Sequence, residues 1–191
     1  MKTSVATATA LALALVSAPL QADPVTDALE SALENYEKGD LGMTAARLTE
    51  AQKAVVALQG GKLTRFLPEA PDGWSREIDE DANEGMSMVG MGGASAAADY
   101  ISPEGDHVTL TLDADNPIVT SMASMLGNPQ MMAMMGELLE FGDQRMVNQD
   151  GEISGLVANR VLIQATGTAS EEQMSEILGM MDFDGLAAYD K

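Results

Sequence analysis

His107-Val108-Thr109-Leu110-Thr111-Leu112 alternates apolar and polar residues without a break, and it follows Ala97-Ala98-Asp99-Tyr100-Ile101 across the turn Ser102-Pro103-Glu104-Gly105-Asp106. Side chains on a strand point to opposite faces with a period of two, so Val108, Leu110 and Leu112 face a core while His107, Thr109 and Thr111 face away from it. Proline and glycine in the connection are turn residues, so the two runs form an antiparallel hairpin. This hairpin excludes an all-helical reading of the chain.

Downstream, Asn116-Pro117 starts a helix carrying Ile118, Met122 and Met125, and Gly127-Asn128-Pro129 ends it and opens a short helix through Met135 that Gly136 stops. Leu138–Phe141, Arg145–Asn148, Ile153–Ala158 and Val161–Thr166 read as further strands, with Asn148-Gln149-Asp150-Gly151 as a tight hairpin turn. Ser170-Glu171-Glu172-Gln173 is a capping box. Met174, Ile177, Leu178 and Met181 then give the core stripe of a last helix. Strands in antiparallel runs interrupted by helices predict an α+β domain over residues 62–191.

Upstream, Asp23-Pro24 caps a helix through about Lys38 with Val25, Ala28, Leu29, Ala32, Leu33 and Tyr36 on one stripe. Gly39-Asp40 breaks it. A second helix carries Leu41, Ala45, Leu48, Ala51, Val55 and Leu58 until Gly60-Gly61. Residues 23–61 are thus predicted as an αα-hairpin packed on the mainly antiparallel sheet or on a partner. A single such unit is too short for a solenoid, which needs about three repeats.

The first 22 residues hold one cation, Lys2, an apolar run from Val5 to Val16 and a polar exit before Asp23. That is the pattern of a secretory signal peptide, with cleavage expected after Ala22 and a periplasmic destination. The run is shorter than the roughly 20 residues of a membrane span. The chain has no cysteine, so packing alone must hold the fold in an oxidising compartment. With 30 Asp and Glu against 10 Lys and Arg, the net charge of −20 repels nucleic acid and anionic lipid.

The Leu67-Pro68-Glu69-Ala70-Pro71-Asp72-Gly73-Trp74 entry after a helical hairpin, the Val157-Ala158-Asn159-Arg160-Val161-Leu162 strand and the closing Asp182-Phe183 resemble a group of secreted proteobacterial proteins with no assigned activity. The strand order is similar to that of PsbP/Mog1-type sheets. That resemblance implies a binding or assembly module rather than an enzyme.

Two methionine clusters carry the candidate chemistry. Met86, Met88 and Met91 lie in a glycine-rich run, and thioether sulfur is a soft ligand suited to Cu(I), with His107, the one histidine, as a possible fourth ligand by hairpin pairing. Met131, Met132, Met134 and Met135 cannot all face one way on a short helix, so part of this cluster is expected at the surface, where flexible methionines suit a partner-binding face. The acidic runs around Asp79 and Asp113 do not match an EF-hand loop.

No nucleophile elbow, phosphate loop, zinc helix or dinucleotide fingerprint occurs, so catalytic residues are expected to be none. The first expectation is a soluble periplasmic accessory protein that binds a protein partner or small apolar ligand through a Met-rich face. The second is a periplasmic Cu(I)-binding protein using the Met-x-Met-x-x-Met segment. An enzyme acting through carboxylates comes third.

Overall fold

A computed structural model describes residues 23–82 and 92–190. The chain is α+β: a helix pair, α1 (Pro24–Glu37) and α2 (Leu41–Leu63), packs on a seven-stranded antiparallel sheet together with further helices. The strands are β1 (Ser75–Asp79), β2 (Ala94–Ile101), β3 (His107–Ala114), β4 (Glu137–Phe141), β5 (Gln144–Gln149), β6 (Glu152–Val157) and β7 (Val161–Gly167). Their spatial order is β1-β2-β3-β7-β6-β5-β4. Two meanders, β1–β3 and β4–β7, therefore meet where β3 pairs with β7. The connection between them, helices α3 (Pro117–Leu126) and α4 (Pro129–Met135), crosses one face of the sheet to reach the far edge.

The alternation in His107–Ala114 sorts as its spacing dictates. Val108, Leu110, Leu112 and Ala114 join Ala94, Ala96, Ala98 and Tyr100 of β2 and Val161, Ile163 and Ala165 of β7 in one core. Leu63 and Leu67 roof that face from one side. Met174, Ile177 and Leu178 of helix α5 (Glu171–Gly179) and Leu186 of helix α6 (Phe183–Ala187) roof it from the other. A smaller core on the opposite face joins Val147, Leu156 and Leu162 to Val119, Leu126 and Met132 of α3 and α4. Helices thus cover both faces, but the second only over β5–β7.

Local signals explain most boundaries. Asp23, Asn116, Asn128 and Ser170 each accept a backbone N–H at a helix start, and Ser170 with Gln173 closes the expected capping box. Asp150 and Gly151 both have positive φ, the two-residue turn that the twist of a hairpin favours. Two expectations need correction. Gly60-Gly61 does not end α2, which runs to Leu63 and passes into a 3₁₀ turn at Thr64–Phe66. Gly60 is buried there, where the Tyr189 hydroxyl donates to the Gln59 carbonyl at 3.0 Å, so the small residue serves packing. Gly136 stops α4 as expected, with an extended φ, and a Cβ there would collide with the Asn148 carbonyl. In the hairpin, Ala28, Ala32 and Ala51 are buried, whereas Leu29, Leu33, Tyr36, Leu41, Leu48, Val55 and Leu58 are exposed.

The Leu-Pro-x-x-Pro entry is fastened from two directions. The buried Tyr100 hydroxyl donates to the Pro68 carbonyl at 2.7 Å, and Arg76 donates to the same oxygen at 2.8 Å, to the Leu67 carbonyl at 3.1 Å and to Glu69 at 2.9 Å. Burial pushes the Tyr100 phenol up to about 12 against the opposing pull of Arg76, so it remains a donor at any working pH. Because Arg76 still satisfies Pro68, Tyr100→Phe is expected to cost only about 0.5–1.5 kcal/mol, read as a lower urea midpoint with an unchanged slope. A loss well above that range would show that the phenol holds more than this one oxygen.

Candidate functional site

The second methionine cluster sits on the helices that cross the sheet. Asn116 and Asn128 cap α3 and α4 through their side-chain oxygens, and Pro117 and Pro129 occupy the first turns, so both short helices start at fixed points. On α4 the four methionines divide. Met132 is buried and Met135 packs partly beside it against Val147, Leu156 and Leu162, while Met131 is 40% exposed and Met134 81%. Met132 is accordingly removed from the set of partner-contacting residues, because a side chain anchored in the core cannot meet a partner on the surface. One turn of helix separates Met131 from Met134, which places their thioethers side by side. From α3, Met122 packs against the same cluster and Met125 is half-buried, so the surface pair stands on a methionine floor.

A polar cluster occupies the uncovered part of the same sheet face. His107 Nε2 lies 3.0 Å from Asp99 Oδ1, and Thr109 Oγ1 donates to that same oxygen at 2.6 Å while lying 3.2 Å from His107 Nε2. Register explains the meeting: Asp99 pairs with Thr109, and His107 is two residues along on the same face. The arrangement centres on the carboxylate, which accepts from the threonine directly. In a nucleophile–base–acid relay the imidazole uses one ring nitrogen for each neighbour, whereas here a single nitrogen, His107 Nε2, faces both Asp99 and Thr109.

At the other end of β3, Asp113 is 6% exposed and hydrogen-bonded by Ser95. Among the described residues its Oδ1 and the Nδ2 of buried Asn116 have no hydrogen-bond partner. Burial raises the Asp113 carboxyl above the ordinary aspartate range, with the Ser95 bond opposing. Asp115 next to it forms a two-pronged pair with Arg160, whose third nitrogen donates to the Tyr189 carbonyl at 3.3 Å and so ties the β6–β7 turn to the C-terminal segment. Of the acids in the runs that fail the EF-hand pattern, Asp79 accepts from the Asp81 N–H and Asp115 holds Arg160, while Asp182 caps α6.

Met86, Met88 and Met91 lie outside the described residues. Gly93 packs against the Ala114 carbonyl and Asn116, at the opposite end of β3 from His107. Seven residues of strand separate those ends by roughly 23 Å, so hairpin pairing sets His107 apart from the end at which the glycine-rich run joins β2. Among the described residues no group of three or more His, Cys, Asp or Glu is placed to hold a metal ion.

One concavity has no counterpart in the sequence reading. An open cleft of about 520 Å³ lies between the β4–β5 turn and α6, lined by Phe141, Gln144, Val157, Met181, Asp182 and Phe183. The Phe141 and Phe183 rings meet at 6.2 Å. Val157, Met181 and the Asp182-Phe183 pair had each been singled out in sequence for other reasons, but not their meeting with Phe141, because the cleft joins residues some 40 positions apart. Among the described residues no helix is long and apolar enough to cross a membrane. No protein family, curated protein or solved structure matches the chain.

Proposed function

We propose that the chain is an exported accessory protein without catalytic activity that binds a protein partner through the methionine face of α4. The observation that carries this reading is the division of the cluster: Met134 and Met131 stand in solvent on a helix locked to the sheet by Met132. Thioethers on unbranched stems adapt to irregular apolar surfaces, which suits a rigidly mounted helix meeting a partner. Glu137 and Glu140, exposed on the adjoining strand, favour a partner with a basic rim.

The test is a pull-down from periplasmic extract with the wild type and with Met131→Ser/Met134→Ser, joined to oxidation footprinting of Met134. A protein that is retained by the wild type, lost with the variant and protective of Met134 supports the reading. An identical retained set for both proteins overturns it. Anaerobic Cu(I) titration of the same two proteins, beside Met86→Leu/Met88→Leu/Met91→Leu, tests the copper alternative: stoichiometric binding abolished only in the triple variant would replace a protein partner with a soft metal.

A further inference from the structure

The cleft between the β4–β5 turn and α6 joins two kinds of wall. Its base is apolar: Val157 and Met181 are buried there, and the half-buried Phe141 and Phe183 rings stand 6.2 Å apart with their planes inclined by 37°. Its rim is acidic. Asp143 on the turn and Asp184 in the first turn of α6 are exposed, and among the described residues neither side chain takes part in a hydrogen bond or ion pair. Asp182, the third carboxylate, is partly committed, because its Oδ1 accepts the Gly185 N–H at 2.9 Å. The Gln144 amide nitrogen donates to the Arg145 carbonyl at 2.7 Å, which leaves the oxygen as that side chain's remaining polar atom.

Charge identifies what fits between these walls. Among the described residues no lysine or arginine lines the cleft, and the two arginines nearest in sequence are engaged elsewhere. Arg145 pairs with Glu140 at 3.5 Å on the opposite face of the sheet, since it alternates with core-facing Met146. Arg160 is taken up by Asp115 and the Tyr189 carbonyl. The free polar side-chain atoms of the rim are therefore acceptors, and aromatic rings attract cations where an aliphatic wall would not. A bare inorganic ion would leave the apolar base unused, and a neutral apolar molecule would leave the carboxylates unmatched. The volume of about 520 Å³ falls within the range of small-molecule sites, roughly 300–1,000 Å³. The backbone agrees. Ala158 and Asn159 form the centre of the β6–β7 turn, closed by the Arg160 N–H donating to the Val157 carbonyl at 3.0 Å, and both have positive φ, 50° and 56°. Asparagine is usual in such a turn, but the position of Ala158 favours glycine, and the chain sets an alanine there in the wall of the cleft.

We infer that this cleft binds a small organic ammonium ion, with its apolar body against Phe141 and Phe183 and its charge between the Asp143 and Asp184 carboxylates. The inference is independent of the methionine face, which packs on the other side of the sheet. Titration of the isotope-labelled protein with hexylammonium, followed by heteronuclear NMR, tests it. Saturable shifts are expected at the amides of Asp143, Ala158 and Phe183. Hexanol, the same body without the charge, should bind roughly tenfold more weakly or worse, and ammonium chloride at equal ionic strength should leave those amides in place. Asp143→Asn/Asp184→Asn, which keeps the Asp182 cap of α6, should weaken hexylammonium by roughly tenfold while holding Tm and the affinity for hexanol. An Nα-acetyl-lysine methylamide arm separates a free amine from the lysine of a polypeptide, and tighter binding of that derivative would overturn the small-molecule ligand. Absence of a saturable shift, equal affinity for hexanol, or unchanged binding in a folded double variant would overturn the site itself. The first two are read on the wild type alone.

Discussion

Leu110→Ala is expected to cost about 2–5 kcal/mol of folding stability, with Tm lower by on the order of 10 °C. Leu110 is fully buried in the middle of β3, paired with Ala98 on one side and Ala165 on the other. Both neighbours in register are alanines, so the leucine fills the space that three strands leave beneath the helices, and no adjacent side chain is long enough to collapse into the void. Thr111, one residue on, points to the polar face and is half-buried. Thr111→Ala is expected to stay within about 1 kcal/mol. Urea denaturation of the two variants reads the difference directly. A larger loss for Thr111 than for Leu110 would reverse the facing of β3 and with it the placement of every residue on the sheet.

That facing was legible because β3 is a central strand with one packed and one polar face. Where the physics was different, sequence gave less. β1 is Ser75-Arg76-Glu77-Ile78-Asp79, an edge strand whose charges discourage pairing with another chain, and with one apolar residue in five it carries no alternation to read. Helix α6 is five residues long with a glycine inside, and only its Asp182 cap speaks for it. In the hairpin, the apolar stripes were visible but their destination was not. Close approach of two helices is made by alanine, which leaves the leucines free to face elsewhere, and a stripe read from spacing alone is assigned to the core by default.

The candidate sites divide along the same line. The caps, prolines and length of α4 are local, so the helix and its crowding with methionine were readable, but which methionine turns inward depends on where the crossing connection lands on β5–β7. The Asp99–His107–Thr109 cluster needs the β2–β3 register, which a five-residue turn does not specify. Gly155 leaves the space that the Met146 side chain fills across the β5–β6 pair, another contact set by register. Local chemistry was legible, and cross-strand chemistry was not.

Asp113→Asn is expected to raise stability at pH 7 by about 1–2 kcal/mol, the scale of a buried polar group left without its full set of partners. The sign follows from the direction of the carboxyl shift. Burial raises the Asp113 pKa in the folded chain, so the folded state holds the proton more tightly than the unfolded state. The folded state therefore keeps its full advantage below the ordinary aspartate range and loses it as pH rises through the raised value, beyond which an ionised oxygen with no donor among the described residues is held inside. Asparagine keeps the acceptor for Ser95 and removes the charge. The gain over wild type should be present at pH 7 and vanish near pH 3, where the wild-type side chain is also neutral. Urea midpoints for both proteins at the two pH values decide it. A variant less stable than wild type at pH 7 would mean that the carboxylate has a cationic or donor partner when folded, and a gain equal at both pH values would place its cause in packing instead of charge. A gain confined to neutral pH would show that the chain retains an acid at Asp113 against its own stability, which is the behaviour of a group kept for a task other than folding.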